Sequence, residues 1–368
     1  MPMHTVRGRN VNEVFAVARI ELHAYAQPDG SRNGGVLRLP GPLFTEVERP
    51  RERVLFDAVR DANPFFHLME GLWMLAGSND VAWLAQFNRR MTDYSDDGVT
   101  FAGAYGHRWR HHFGRDQLLA AAERLAADPT ERRVVLGMWD PRCDGPGPGR
   151  DVPCNLAVVP TVRSHQWGRL VDDRLDLLIT ARGHDLIWGL FGANVVHFSM
   201  LQEWLAEAIS ERAGVPLGVG ALHFATANAH VYAALWGERW GAEQFVNRTA
   251  CPYELGWVHP YPLFYGGISL GLKTADWELD LMRFLGPAWD REGYSYPYFY
   301  EVAQPLRRAW DVRRENVALA LEHVRQCRAT DWRLACGEWL VRHYRGIEVP
   351  QAWYQPGTPR EPVGEDAT

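Results

Sequence analysis

Between Leu175 and Ser210 the hydrophobic period changes from that of a strand to that of a helix, and any fold must hold both in its core. Leu175 to Thr180 (LDLLIT) reads as a buried strand that ends at Ala181-Arg182-Gly183-His184-Asp185. From Asn194 to Ser210 (NVVHFSMLQEWLAEAIS) apolar residues recur at helical spacing, with Asn194 placed as the N-cap. Other segments repeat both periods. Residues 18–24 alternate, with Ile20 and Leu22 on one face, and predict a strand; the turn-rich QPDGSRNGG at 27–35 predicts a loop leading to another strand. Pro64 to Leu84 predicts a core helix closed by Gly77, and Ala120 to Ala127 a helix ended by Asp128-Pro129. Val134-Val135-Leu136 and Leu156-Ala157-Val158-Val159 predict strands, short strand-like pieces follow Pro216, and His230 and Tyr232 share one side of an extended chain. Beyond about Trp277 the pattern is helical: Leu306 to Arg328, then Asp331 to Tyr344 with Gly346 after it. The expected organisation is residues 1–275 as one domain, 276–354 as a helical C-terminal extension and 355–368 as a loose tail.

Composition excludes several classes. With 368 residues, 46% of them hydrophobic, the chain can bury a large core. Its sixteen Trp and fifteen Phe suit pockets with aromatic walls. A net charge of −6 gives no overall pull on nucleic acid, so an anion must be held by a local arginine cluster. Five cysteines without CxxC spacing fit a reducing cytoplasm, and neither a disulfide frame nor a zinc site; no metal is expected. The most apolar stretch, Leu186 to Leu201, is interrupted by Asn194, His197 and Ser199, so neither export nor membrane insertion is expected.

Four places carry candidate chemistry. Cys154 follows Pro153 at the mouth of a strand, where a stiff platform presents the best protein nucleophile near neutral pH; a lone intracellular cysteine is more often a small buried hydrophobe. Glu70 lies inside an apolar helix, either on its exposed edge or as a buried carboxylate. Arg32 sits in a glycine-rich loop where backbone N–H groups and a guanidinium can hold an anion, although a solvated loop arginine is the commoner outcome. Arg132 and Arg133 open a β-branched run, and such neighbours more often mark a solvated strand end than a binding pair.

Taken in order, the motifs resemble the thymidylate synthase family, including its nucleotide hydroxymethylase branch. Glu70-Gly71-Leu72-Trp73 resembles the helix of the catalytic glutamate, and Ala104-Tyr105-Gly106-His107-Arg108-Trp109-Arg110 the Tyr-Gly-x-x-Trp-Arg segment. Arg132-Arg133, followed by Trp139, resembles the arginine pair that reaches the partner's phosphate site, and Pro153-Cys154 matches the nucleophile motif. Arg182-Gly183-His184-Asp185 with Gly189 resembles Arg-Ser-x-Asp-x-x-x-Gly, and His230-Val231-Tyr232 the motif that holds the sugar hydroxyl.

The resemblance implies an α+β protein of the thymidylate synthase fold, a mixed β-sheet packed by helices. It implies a homodimer acting on a pyrimidine nucleoside 5′-monophosphate with 5,10-methylenetetrahydrofolate as one-carbon donor. Cys154 would add to C6 of the ring, Arg182 would favour the thiolate, and Glu70 and Tyr105 would serve proton movements at the base. Arg32, Arg182 and the partner's Arg132 and Arg133 would grip the phosphate, and Asp185 would bond the pterin.

Departures from the family pattern bear on the product. The places of two tryptophans that wall the reaction hold Met91 and Tyr94, and the tail Gly364 to Thr368 has no apolar closing residue. Both favour water over hydride as acceptor of the one-carbon unit. The histidine after the nucleophile is Asn155, and the serine after the motif arginine is Gly183, which makes room on the nucleotide side or relieves backbone crowding. The base-reading asparagine, eleven residues after that arginine in synthases, is Ala193 here with Asn194 one later, so either a local shift restores Asn194 or base reading is rebuilt. The expectation is a CMP or dCMP 5-hydroxymethylase; the alternatives are methylation of dUMP and a non-catalytic nucleotide-binding or interaction module.

Overall fold

The computed structural model of the protein describes residues 3–145, 147, 149–167, 170–239 and 250–355. From residue 356 the tail assessed above lies outside them. A six-stranded sheet runs in the order β1 (His4–Gly8), β4 (Leu43–Val47), β9 (Gly218–Thr226), β7 (Leu170–Ala181), β6 (Asn155–Trp167) and β5 (Leu136–Gly137). The β1–β4 and β7–β9 pairs are parallel and the others antiparallel, which is the mixed sheet expected of an α+β fold. A smaller sheet joins β2 (Gln27–Ser31), β3 (Gly34–Arg38), β10 (Ala229–Tyr232) and β8 (His184–Asp185).

The long hairpin of β6 and β7 sets the site. Asn155 pairs with Ala181, with a bulge beside it, so Cys154 and Arg182 emerge side by side at one end of the sheet. Their backbones remain joined there, the Arg182 N–H donating to the Cys154 carbonyl at 3.0 Å.

Helices pack on the two sheets and on one another. In chain order they begin with α1 (Val11–Tyr25), α2 (Pro64–Leu75), α3 (Val81–Ala85), α4 (Tyr105–His107), α5 (Gln117–Ala127) and α6 (Val195–Ala213), then the short α7 (Ala233–Arg239) and α8 (Gly267–Leu270). Helix α6 lies on β7 and β9 and is buried over most of its length, its polar residues His197, Ser199, Gln202 and Glu203 included. Its Gln202 amide donates to the Leu175 and Ala221 carbonyls, at 2.7 and 3.1 Å, where the β7–β9 register slips and leaves backbone acceptors unpaired. Helix α2 starts at Asn63, which accepts from the Phe66 N–H, has Pro64 in its first turn, and is buried along its whole length. Two glycines bring its neighbours close. A Cβ at Gly71 would strike the Met200 sulfur of α6, and one at Gly106 would strike the Met74 carbonyl.

Several sequence expectations are corrected. Residues 18–24 are not a strand but the end of α1, whose buried positions Val11, Val14, Phe15, Ala18 and Leu22 keep helical spacing from the Asn10 cap onward; seven residues were too short a window for the period. The glycine-rich stretch after it is a hairpin, β2 and β3, instead of a loop. Of the run Val134-Val135-Leu136 only Leu136 enters a strand. The pieces after Pro216 are one nine-residue strand. Gly77, at φ 71°, does end α2.

Of the C-terminal helices α9 (Thr274–Leu285), α10 (Gln304–Val312), α11 (Val317–Gln326) and α12 (Thr330–His343), α10 and α12 pack against the helix that carries Glu70, α11 packs on those two, and α9 lies on α6. The Phe65 ring of α2 lies 5.6 Å from Trp310 and 5.7 Å from Trp339, and the Trp83 and Trp310 indoles donate to the Leu285 and Gln86 carbonyls at 3.1 and 2.9 Å. Among the described residues no helix is long and apolar enough to cross a membrane.

One buried acid fastens this attachment. Asp331, in the first turn of α12, accepts from the Tyr253 hydroxyl at 2.9 Å, and burial pushes its carboxyl up to about 6. A folded-state value above the unfolded one means that its contribution to stability is fully present below about pH 4 and is lost as pH rises through about 6. Asp331→Asn is therefore expected to raise unfolding stability at pH 7.5 by ~1–3 kcal/mol and to change it little at pH 4. Urea midpoints at both pH values measure this; an equal change at both rules out the ionisation account.

Candidate active site

Two arginines converge on the loop before the nucleophile. The Arg182 guanidinium donates to the Pro153 and Val152 carbonyls at 3.0 and 2.9 Å, and its Nη2 stands 3.8 Å from the Cys154 sulfur. Arg32, from the β2–β3 hairpin, donates to the carbonyls of Gly149 and Arg150 at 3.2 and 3.3 Å. Both side chains are exposed on their outer side, which leaves forked donors open to an anion. The loop is held from beneath. Asp96 accepts from the Arg150 N–H at 2.9 Å, and Asp151 accepts from the Gly103 N–H at 2.8 Å.

Burial pushes the Cys154 thiol up, Arg182 and Arg32 pull it down, and Asp151 and Asp185 push it up again. The net direction is upward. The Arg182 guanidinium thus acts to raise the thiolate fraction, while burial, the larger effect, keeps the resting group a thiol.

The facing wall comes from α2, α4 and α6. Glu70 is buried, with its Oε2 3.1 Å from Nε2 of His197. The Tyr105 ring stacks on Phe198 at 5.9 Å and meets His197 edge-on at 6.2 Å. Burial drives its hydroxyl far up, and Cys154 and Glu70 act on it in the same direction, so Tyr105 is a neutral donor between the nucleophile and the acid. Behind Cys154 a buried chain replaces the family's histidine: His184 Nε2 donates to Asn155 Oδ1 at 2.9 Å, and Thr226 donates to His184 Nδ1 at 2.8 Å. Burial pushes His184 down to about 3, so this imidazole is neutral.

Asn194 does not cap α6. Its backbone is already helical and its amide makes no capping bond, because a π-helical segment, Leu186–Asn194, runs into α6 without a break. Asp185 takes the cap instead, accepting from the Ile187 and Trp188 N–H groups at 3.1 Å each. Bonding from i to i+5 fits one extra residue into a turn, so the segment shifts the helical phase of the residues that follow it. Asn194 is buried there to 4% exposure.

His230 and Tyr232 do share one side of β10, their rings 6.0 Å apart; Tyr232 accepts from Asn33 at 3.3 Å and His230 bonds the Asn228 side chain at 3.1 Å. Through β10, which pairs with β3 and β8, they border both Arg32 and Asp185. A Cβ at Gly183 would approach the Asn228 carbonyl to 3.3 Å, which favours the crowding account of that glycine. Burial pushes Asp185 up to about 6, and beside it the ring of Trp188, 43% exposed, lies under the Arg60 guanidinium at 4.1 Å.

Arg132 and Arg133 are exposed, and Arg133 closes on Glu131 at 2.8 Å; the arginines acting on Cys154 within this chain are Arg182 and Arg32. His112, Asp140 and Cys143 place donor atoms within 4.8 Å of one another, but Arg142 already bonds both Asp140 oxygens. His197 and the Asn155–His184–Thr226 chain were not foreseen in the sequence as functional; His197 carried only its place near Asn194.

This arrangement, a cysteine at a strand mouth between arginines and facing a buried glutamate and a neutral tyrosine, suits an enzyme that brings a nucleophile and proton-moving groups to an anionic substrate. A family model described as thymidylate synthase matches residues 61–252. The chain belongs to the thymidylate synthase family and is a one-carbon transferase acting on a pyrimidine nucleotide. Among its relatives, a deoxyuridylate hydroxymethyltransferase of Pseudomonas phage M6 is 39% identical over 361 residues, 95% of this chain and 97% of that one. A deoxyuridylate hydroxymethyltransferase of Bacillus phage SP01 is 35% identical over 209 residues, 54% of this chain and 51% of that one. The crystal structure of thymidylate synthase from T4 phage is similar with a TM-score of 0.48 and 19% identity, covering 64% of this chain and 81% of that one.

Proposed function

We propose that the enzyme hydroxymethylates C5 of dUMP. The observation that carries this reading is exposure at the two positions where synthases have tryptophans: Tyr94 is 51% exposed and Met91 is only partly buried, so neither side chain is packed down as a barrier to water would be. The two phage relatives named for deoxyuridylate support uracil over the cytosine expected from sequence.

In this reading Arg182 and Arg32 hold the phosphate, and His230 and Tyr232 hold the sugar hydroxyl. The Asn194 amide accepts from N3–H of uracil and donates to its O4. Cys154 adds to C6, Arg182 supports the forming thiolate, and Tyr105 and Glu70 receive and return protons at C5. Asp185, with acceptor capacity beyond its cap, and the exposed Trp188 ring suit a flat pterin carrying N–H donors, so these residues would hold 5,10-methylenetetrahydrofolate. When bound, the folate supplies the one-carbon unit at the oxidation level of formaldehyde.

The homodimer belongs to the same proposal. On the sheet face turned away from α6, Phe44 and Leu178 are 40% and 38% exposed, and the strand register places Ala225 and Val159 beside them. A second copy covering this face would bring Arg132 and Arg133 to its partner's phosphate. All five cysteines are free thiols, in keeping with a cytoplasmic enzyme.

Incubation with methylenetetrahydrofolate and dUMP, dCMP or CMP tests the reading. The expected result is 5-hydroxymethyl-dUMP with tetrahydrofolate. Thymidylate with dihydrofolate overturns hydroxymethylation, product from dCMP or CMP alone overturns the base assignment, and no release of tritium from any C5-labelled nucleotide leaves a binding module. Asn194→Ala is expected to lower kcat/KM for dUMP by about 10- to 100-fold, since two base hydrogen bonds are lost; an unchanged value removes Asn194 from base reading.

A further inference from the structure

We infer that His197, together with Glu70, holds and deprotonates the water that becomes the hydroxyl of the product. The inference rests on the hydroxymethylase reading and names the residue that would carry it out. Among the described residues, Glu70 Oε2 and both ring nitrogens of His197 are buried atoms without a hydrogen-bond partner, and the residues are 8% and 6% exposed. Buried polar atoms are seldom left unpaired, and three together in one site ask for a ligand. Oε2 and Nε2 stand 3.1 Å apart yet off the line a direct hydrogen bond needs. One water oxygen about 2.8 Å from each satisfies both, and water held in this way needs only two to four polar partners.

The surroundings hold the pair in place. Gly71 lets α2 and α6 approach closely, and this sets Glu70 and His197 opposite each other. His67, on the same turn of α2 as Glu70, has its imidazole pushed well down by burial, with Arg60 and His197 acting in the same direction, so it stays neutral. Tyr105 stands edge-on to His197 and its hydroxyl feels the charge of Cys154, which places the pair beside the base that the cysteine attacks.

The step balances. The water oxygen bonds to the exocyclic methylene carbon, and the electrons of that double bond move through C5 to the C4 oxygen. The water proton passes to the Glu70–His197 pair. The resulting enolate re-forms the C5–C6 double bond and expels the Cys154 thiolate, giving the 5-hydroxymethyl nucleotide and one proton held on the pair.

The test separates this step from those before it. His197→Gln and His197→Phe are assayed for tritium release from C5-labelled dUMP, for 5-hydroxymethyl-dUMP, and for an adduct with added 2-mercaptoethanol, a nucleophile that can intercept the methylene. Expected is a fall in hydroxymethyl product of about 10²-fold, tritium release within a few fold of wild type, and an increase in the thiol adduct. Equal loss of tritium release and product, or loss of neither, overturns the inference. A wild type that makes thymidylate overturns the hydroxymethylase reading instead, and is recognised before any variant is compared. A crystal structure of the unaltered enzyme gives a second check: a water bonded to both Oε2 and Nε2 is expected, and a direct carboxylate–imidazole hydrogen bond with no water overturns it.

Discussion

Cys154→Ala is expected to lower tritium release from C5-labelled dUMP by about 10⁴-fold or more, while the nucleotide still binds. Without the sulfur C6 has no nucleophile, and C5 of a pyrimidine does not attack an electrophile. Binding survives because Arg182 and Arg32 are positioned by backbone carbonyls of Val152, Pro153, Gly149 and Arg150, none of which the substitution touches. Stopped turnover with retained nucleotide affinity, read by equilibrium dialysis, is the expected pair of results. Residual tritium release above about one per cent of wild type would remove Cys154 from the chemistry.

The chemistry was legible where a residue type and its neighbours in the chain decide it. Cys154 after Pro153, Arg182 at the end of a strand, and His230 with Tyr232 two apart are local patterns, and the antiparallel pairing of β6 with β7 turns the first two into neighbours. What the sequence hid depends on longer-range packing. The π-helical turn before Asn194 has no signature of its own; it follows from Asp185 fixing the start of the helix while α6 fixes its end. His197 reads as one polar residue in an apolar run, and only the approach of α2 at Gly71 turns it toward Glu70. Residues 18–24 misled because helix and strand periods coincide over so few positions. The C-terminal helices were visible as helices, but their seat on the Glu70 helix depends on Phe65, Trp310 and Trp339 meeting across more than two hundred residues of chain.

Whether the site is shared between subunits has a decisive outcome. Replacing Arg132 and Arg133 together by glutamate is expected to lower kcat/KM for dUMP by about 10²-fold or more, since two forked donors to a dianion become repelling charges. Alone, that loss does not say which subunit the arginines serve, because Arg133 is engaged with Glu131 in its own chain and both residues lie on the surface. Mixing does. The double variant and Cys154→Ala are each inactive for different reasons; unfolded and refolded together in equal amounts, half of the dimers are mixed. In each mixed dimer one site combines an intact Cys154 with intact arginines from the other chain, and the second site has neither. About a quarter of wild-type activity is then expected to return, an amount set by counting alone. If each chain supplied its own arginines, every site in the mixture would lack one essential group, and activity would stay at the level of the parents.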